Sequence, residues 1–122
     1  MPINWIQISA LAYSPDGQHL AVGDSQRQVT VFDTKSWKVA IDNWIFHTAR
    51  VTSVAWSPSG THAASGSIDT HIFVWSTQNP GKKIQIKFAH AGQVNGVAFL
   101  DENTVVSVGQ DGCVKTWDIK HF

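Results

Sequence analysis

An alanine followed by an aromatic recurs three times along the chain, as Ala12-Tyr13, Ala55-Trp56 and Ala98-Phe99, and each pair stands 43 residues from the next. Self-similarity at that period forces a fold of repeated units, each unable to cover its apolar surfaces without a neighbour. Each complete unit holds four short runs of strand-forming residues separated by turn residues, and none has helical periodicity at useful length. That is the pattern of a β-propeller blade. The fold class read from the sequence is therefore all-β, with about three four-stranded antiparallel blades. Propellers close with about four to eight blades, so three of them make an incomplete ring.

Turn chemistry places the boundaries. Asp16-Gly17 and Ser59-Gly60 supply the backbone freedom of tight hairpins, Asp101-Glu102 is a shorter turn, and Asn79-Pro80-Gly81 reverses the chain before an outer strand. These signals divide the chain into a first blade over residues 8–46, a second over 47–88 and a last over 90–122, which lacks an outer strand of its own. Residues 1–6 are assigned as the outer strand of a neighbouring or closing blade. Val51, Val54, Ala55 and Trp56 read as a strand covered on both faces. Ile84, Ile86 and Phe88, alternating with Gln85 and Lys87, read as a rim strand with one wet face.

Nine basic and nine acidic side chains leave no net charge, which argues against a strongly basic binder of nucleic acid or membrane surfaces. Cys113 is the sole cysteine, so no disulfide forms within the chain and a reducing compartment is favoured. The first residues, Met1-Pro2-Ile3-Asn4-Trp5-Ile6, lack the basic flank and apolar run of a signal peptide. The expectation is a cytoplasmic protein without a cofactor. Open faces at both terminal blades lead to a further one: expressed alone, copies associate as a homo-oligomer that completes a ring.

The residues that look most like chemistry are His47, Ser65, Asp69 and Trp75, which recur as His90, Ser107, Asp111 and Trp117. Serine, histidine and aspartate together suggest a nucleophilic triad. A hydrolase, however, needs one activated serine at a cleft with an oxyanion hole, whereas this set occurs twice in tandem and each time with a tryptophan. Indole N–H only donates, hydroxyl and imidazole donate and accept, and carboxylate only accepts, so the four suit a hydrogen-bonded chain that satisfies buried polar groups. The reading is structural, with no catalytic residue and no enzyme activity. In the first blade Asn4, Val22, Gln26 and Phe32 stand at the same places, and Val22 and Phe32 cannot extend such a chain.

His19, His62 and His71 lack the paired cysteines or HExxH spacing of a metal site. Lys82, Lys83 and Lys87 form the one basic cluster, read as protection of a rim strand against edge pairing. Trp5, Trp37 and Trp44 are assigned to rim or inter-blade packing.

On the quartets, the hairpin turns and Trp117-Asp118, the chain resembles the WD40 repeat family. The resemblance implies a propeller in which the four polar side chains knit the strands of a blade, and a role in protein–protein interaction. Within the family, Phe46-His-Thr-Ala-Arg-Val51, Ala55-Trp-Ser-Pro58, Ala64-Ser-Gly-Ser-Ile-Asp-Thr70, Ala89-His90, Gly96-Val-Ala-Phe99 and Val105-Val-Ser-Val-Gly109 resemble the last blades of the two-propeller actin-interacting members. That likeness implies actin and cofilin as partners, a cytoskeletal location, and promotion of filament disassembly and barbed-end capping. The alternative is an adaptor of a ubiquitin-ligase, chromatin or trafficking complex.

Overall fold

The computed structural model of the chain describes residues 7–120. Eleven strands form three antiparallel sheets among the described residues, and no helix is present among them. The first sheet runs in the order β1 (Ile8–Tyr13), β2 (His19–Asp24), β3 (Val29–Asp33), β4 (Val39–Trp44). The second follows as β5 (Val51–Trp56), β6 (His62–Ser67), β7 (Ile72–Ser76), β8 (Lys83–Ile86). The third holds β9 (Val94–Asp101), β10 (Thr104–Gly109) and β11 (Val114–Asp118). Each sheet is a meander, the topology that short hairpin turns impose. The strand assigned to residues 1–6 lies outside the described residues.

Local geometry repeats with the sequence. Arg27, Thr70 and Gly112 occupy one turn position in the three blades, and all take the left-handed conformation, with φ of 68°, 74° and 78°. Only the last uses glycine, so the first two blades hold a side chain where L-residues are disfavoured. The reversal from β9 to β10 falls at Glu102 and Asn103, one residue later than the turn residues suggest, because Asp101 still pairs with Thr104.

The blades stack through small residues on one face and branched ones on the next. An added Cβ on Gly23 would lie 2.5 Å from Val51 Cγ1, and one on Gly66 would lie 2.6 Å from Val94 Cγ1. Those two hollows seat the opening valine of the following blade. Ala21, Val29, Val31 and Trp44 meet Val51, Val54, Ala63, Phe73 and Trp75 at the first interface. Ala64 and Val74 meet Val105 at the second, with Ile84, Ile86, Phe99 and Trp117 around them. Hydroxyls stitch the same seams, since Ser9 donates to the carbonyl of Val51 and Thr52 to that of Val94, one period further on. Trp56 Nε1 donates to the carbonyl of Ala12 across the first seam at 2.9 Å.

Burial differs from the sequence expectation in two respects: Phe88, read with Ile84 and Ile86 as the covered side of the rim strand, lies beyond β8 and is 75% exposed, and the inner strand of the second blade is less covered than expected. β7 is buried throughout and β6 nearly so, whereas β5 is buried only at Val51 and Val54. The cause is position: β5 ends its sheet and β6 and β7 lie between ladder partners, so covering both faces depends on rank within the blade and not on apolar content alone. At the chain's two outer blades the stacking faces are open. Ile8, Leu11 and Tyr13, which match the buried Val51 and Val54 and the half-buried Trp56, are 53%, 61% and 57% exposed.

Candidate functional site

Each quartet is assembled by two strands, the turn between them and the link before the blade's first strand. His47 precedes β5, Ser65 lies on β6, Asp69 sits in the β6–β7 turn and Trp75 lies on β7. The structure brings the four together. Trp75 Nε1 donates to Ser65 Oγ at 2.9 Å, Ser65 Oγ lies 2.8 Å from His47 Nε2, and His47 Nδ1 lies 2.8 Å from Asp69 Oδ2. With indole able only to donate and carboxylate only to accept, one proton arrangement satisfies every link: Ser65 donates to Nε2 and His47 donates from Nδ1.

The third blade repeats this arrangement. Trp117 Nε1 to Ser107 Oγ is 2.8 Å, Ser107 Oγ to His90 Nε2 is 2.8 Å, and His90 Nδ1 to Asp111 Oδ1 is 2.9 Å. Both aspartates also accept backbone N–H groups, Asp69 from Thr48 and His71, and Asp111 from Ala91 and Cys113. Burial pushes the Asp69 carboxyl up, but the hydrogen bond from the His47 imidazole and the two N–H donors outweigh it and hold the group below its usual range. For Asp111 the N–H of Ala91 is the main cause, followed against burial by Cys113 and His90, and its pKa falls to about 2.

In the first blade the polar chain is replaced by packing. Val22 is buried and Phe32 is half-buried at the serine and tryptophan places, while Asn4 lies outside the described residues. Gln26 contributes only its backbone N–H, which donates to Asp24 Oδ1 at 2.8 Å, and the N–H of Gln28 donates to the same oxygen at 3.1 Å. Asp24 thus does alone what two residues share in the next blade, where Ser67 Oγ accepts the N–H of Asp69 and Asp69 Oδ1 accepts that of His71. Sequence comparison at fixed spacing missed it, because Asp24 matches Ser67 in the repeat; the available signal was an Asx turn, an aspartate two residues ahead of a chain reversal.

The other singled-out residues separate. His71 Nδ1 accepts from the N–H of Phe88 at 2.9 Å, His62 Nδ1 lies 3.0 Å from Thr61 Oγ1, and His19 tilts over the ring of Trp56. No group of three potential metal ligands occurs among the described residues. Lys83 holds its ammonium 3.7 Å above the ring of Phe46, while Lys82 and Lys87 are exposed on either side of β8. Trp44 is fully buried at the first inter-blade seam, stacked on Trp75 at 5.2 Å, with Nε1 donating to the carbonyl of Pro80 at 3.1 Å. Trp37 is exposed in the β3–β4 turn, and Trp5 lies outside the described residues.

With three stacked meanders and two tandem quartets in place, comparison with known proteins agrees with the geometry. The WD domain, G-beta repeat family matches over residues 4–33, 40–76 and 81–118, and the chain belongs to that family. It is 47% identical over 114 residues to the 66 kDa stress protein of Physarum polycephalum, covering 93% of this chain and 19% of that protein. An uncharacterised WD repeat-containing protein of Schizosaccharomyces pombe is 39% identical over 112 residues, covering 92% of this chain and 19% of the relative. The chain therefore spans about a fifth of the length of these curated relatives.

Among solved structures, the β-propeller domain of Cps50 (Swd1) from Myceliophteria thermophila superposes with a TM-score of 0.87 at 19% identity, over 98% of this chain and 36% of that one. U3-55K superposes with a TM-score of 0.88 at 21% identity, over 97% and 38%. At those identities the likeness establishes the propeller fold. WD40 propellers are typically non-catalytic interaction scaffolds, and the chain is a WD40 protein-interaction module.

Proposed function

We propose that the chain is part of the second propeller of a two-propeller, actin-interacting WD40 protein, an actin-interacting protein 1, which acts with cofilin in the cytoplasm to disassemble actin filaments and cap barbed ends. The observation that carries this is the run of motifs from Phe46 to Gly109, which resembles the closing blades of such proteins across most of the chain. Relative length supports it. A match of 114 residues that fills 19% of the Physarum relative puts that protein at about 600 residues, room for about fourteen blades and hence two rings of ordinary size.

The buried quartets favour a scaffold over an enzyme. Ser65 and Ser107 are 0% and 1% exposed, and each oxygen is held by an indole and an imidazole, leaving no approach for a substrate. The test is co-sedimentation of the full-length protein with cofilin-decorated filaments. Enrichment in the pellet that depends on cofilin supports the reading. Absence of binding to decorated filaments refutes the cytoskeletal assignment and leaves an adaptor of another complex.

A further inference from the structure

The two inter-blade seams carry homologous grooves that differ in the charge of their walls. At the second seam the groove is filled from within the chain. Glu102, in the β9–β10 turn, reaches across and its Oε1 accepts the N–H of Ser59. Burial pushes the Glu102 carboxyl up, but the hydroxyl and N–H of Ser59, the Ser57 hydroxyl and the imidazole of His62 outweigh it and hold the group below its usual range. At the first seam Ser59 stands at the place of Glu102 and is too short to fill the corresponding space. A cavity of about 310 Å³ remains there, in the size range of small-ligand sites.

The walls of the open groove differ from the filled one at a single decisive position. Ser14, Asp16 and His19 stand where Ser57, Ser59 and His62 stand one blade later, so a carboxylate replaces a hydroxyl. Asp16 uses one oxygen, Oδ1, to accept from Ser14 Oγ at 2.6 Å and from the N–H of Gln18 at 2.9 Å. Ile41, Trp56 and Pro80 line the apolar part of the same cavity. A negative rim above an apolar and indole wall excludes the carboxylate that suits the second groove. It fits a long side chain with a methylene stem and a cationic head.

We propose that the cavity between the first two blades is a docking pocket for an arginine or lysine side chain of a protein partner. The proposal rests on the reading of the chain as a protein-interaction module, but not on the identity of its partners. Failure of actin co-sedimentation leaves it standing, and its own failure leaves that test standing.

The experiment titrates the 15N-labelled chain with Ac-Gly-Arg-Gly-NH2, its neutral citrulline analogue and Ac-Gly-Glu-Gly-NH2, reading the indole N–H of Trp56 by NMR. A saturable shift with the arginine peptide alone is expected. Asp16→Ser, which copies the second groove and keeps a turn-closing oxygen, should weaken arginine binding about three- to tenfold and admit the glutamate peptide. Equal responses to arginine and citrulline, or an unchanged affinity in Asp16→Ser, overturn the proposal. Should the variant fail to fold, salt titration of the unsubstituted chain decides, because arginine binding insensitive to ionic strength is incompatible with an ionic contact at an open rim.

Discussion

Ser65→Ala removes one oxygen and strands two buried groups, which makes it the sharpest probe of how a blade is held together. Ser65 is 0% exposed, Trp75 1% and His47 1%, so neither the indole N–H nor the imidazole Nε2 can turn to water when the hydroxyl is lost. Each unsatisfied buried group costs about 1–3 kcal/mol, so the substitution is expected to destabilise by about 2–4 kcal/mol, a large share of a typical 5–15 kcal/mol. Trp75→Phe removes the donor and opens space beside Trp44, which stacks on the indole at 5.2 Å, at a cost of about 2–3 kcal/mol. The two losses share one hydrogen bond. The double variant should therefore be less destabilised than the sum by about 1–2 kcal/mol, as expected for directly bonded partners. The assay is urea unfolding by far-ultraviolet circular dichroism, which does not depend on the tryptophan being replaced. Additivity to within about 0.5 kcal/mol would refute the view that the quartet acts as one connected unit.

Thr70→Gly should stabilise by about 1 kcal/mol in thermal unfolding, because it relieves a β-branched residue at φ 74° and removes a buried hydroxyl that has no hydrogen-bond partner. Asp24→Ala should cost about 1–2 kcal/mol and Gln26→Ala much less, since the carboxylate of Asp24 closes the turn and Gln26 contributes only backbone; equal costs in denaturant titration contradict this. For Asp111 the folded pKa is about 2 against an ordinary 3.8, so its contribution is complete above 3.8, drains as pH falls through that window and is gone below about 2. Asp111→Asn should flatten that part of the stability–pH profile, and an unchanged acid limb counts against it. Val108→Gly should promote head-to-tail pairing of two copies in light scattering, and a tight dimer of the unsubstituted chain seated on Val108 contradicts the packing argument below.

The blade count, the strand order and the grouping of His47, Ser65, Asp69 and Trp75 were all legible in the sequence, for a physical reason: each depends on spacing, and a period of 43 residues carries spacing from blade to blade. What spacing could not convey was which face a small residue serves. Gly23 and Gly66 look like weak strand residues in isolation, yet each is the seat for a valine 28 residues later, a contact visible only once sheets are stacked. The role of Asp24 was hidden in the same way, because one carboxylate there accepts the two N–H groups that Ser67 and Asp69 divide between them in the second blade. Glu102 was legible as a turn residue and not as the occupant of a groove, since that depends on the neighbouring blade's Ser57, Ser59 and His62.

These seams also bear on how the ring is completed. In both observed interfaces the opening valine of one blade enters a glycine hollow of the blade before it, with less than 3 Å between the valine Cγ1 and where a Cβ would stand. On the open face of the third blade the corresponding positions are Val106 and Val108 in place of Ala64 and Gly66. A second copy stacked in the same manner would bring Ile8, the match of Val51 and Val94, onto Val108, placing two branched side chains where each observed seam holds one. Overpacking of that kind costs about 1–3 kcal/mol and displaces the flanking strands. The face is better matched by a blade that opens with glycine, alanine or serine. The opening blade of a second copy, which brings Ile8 to this position, meets the larger steric cost.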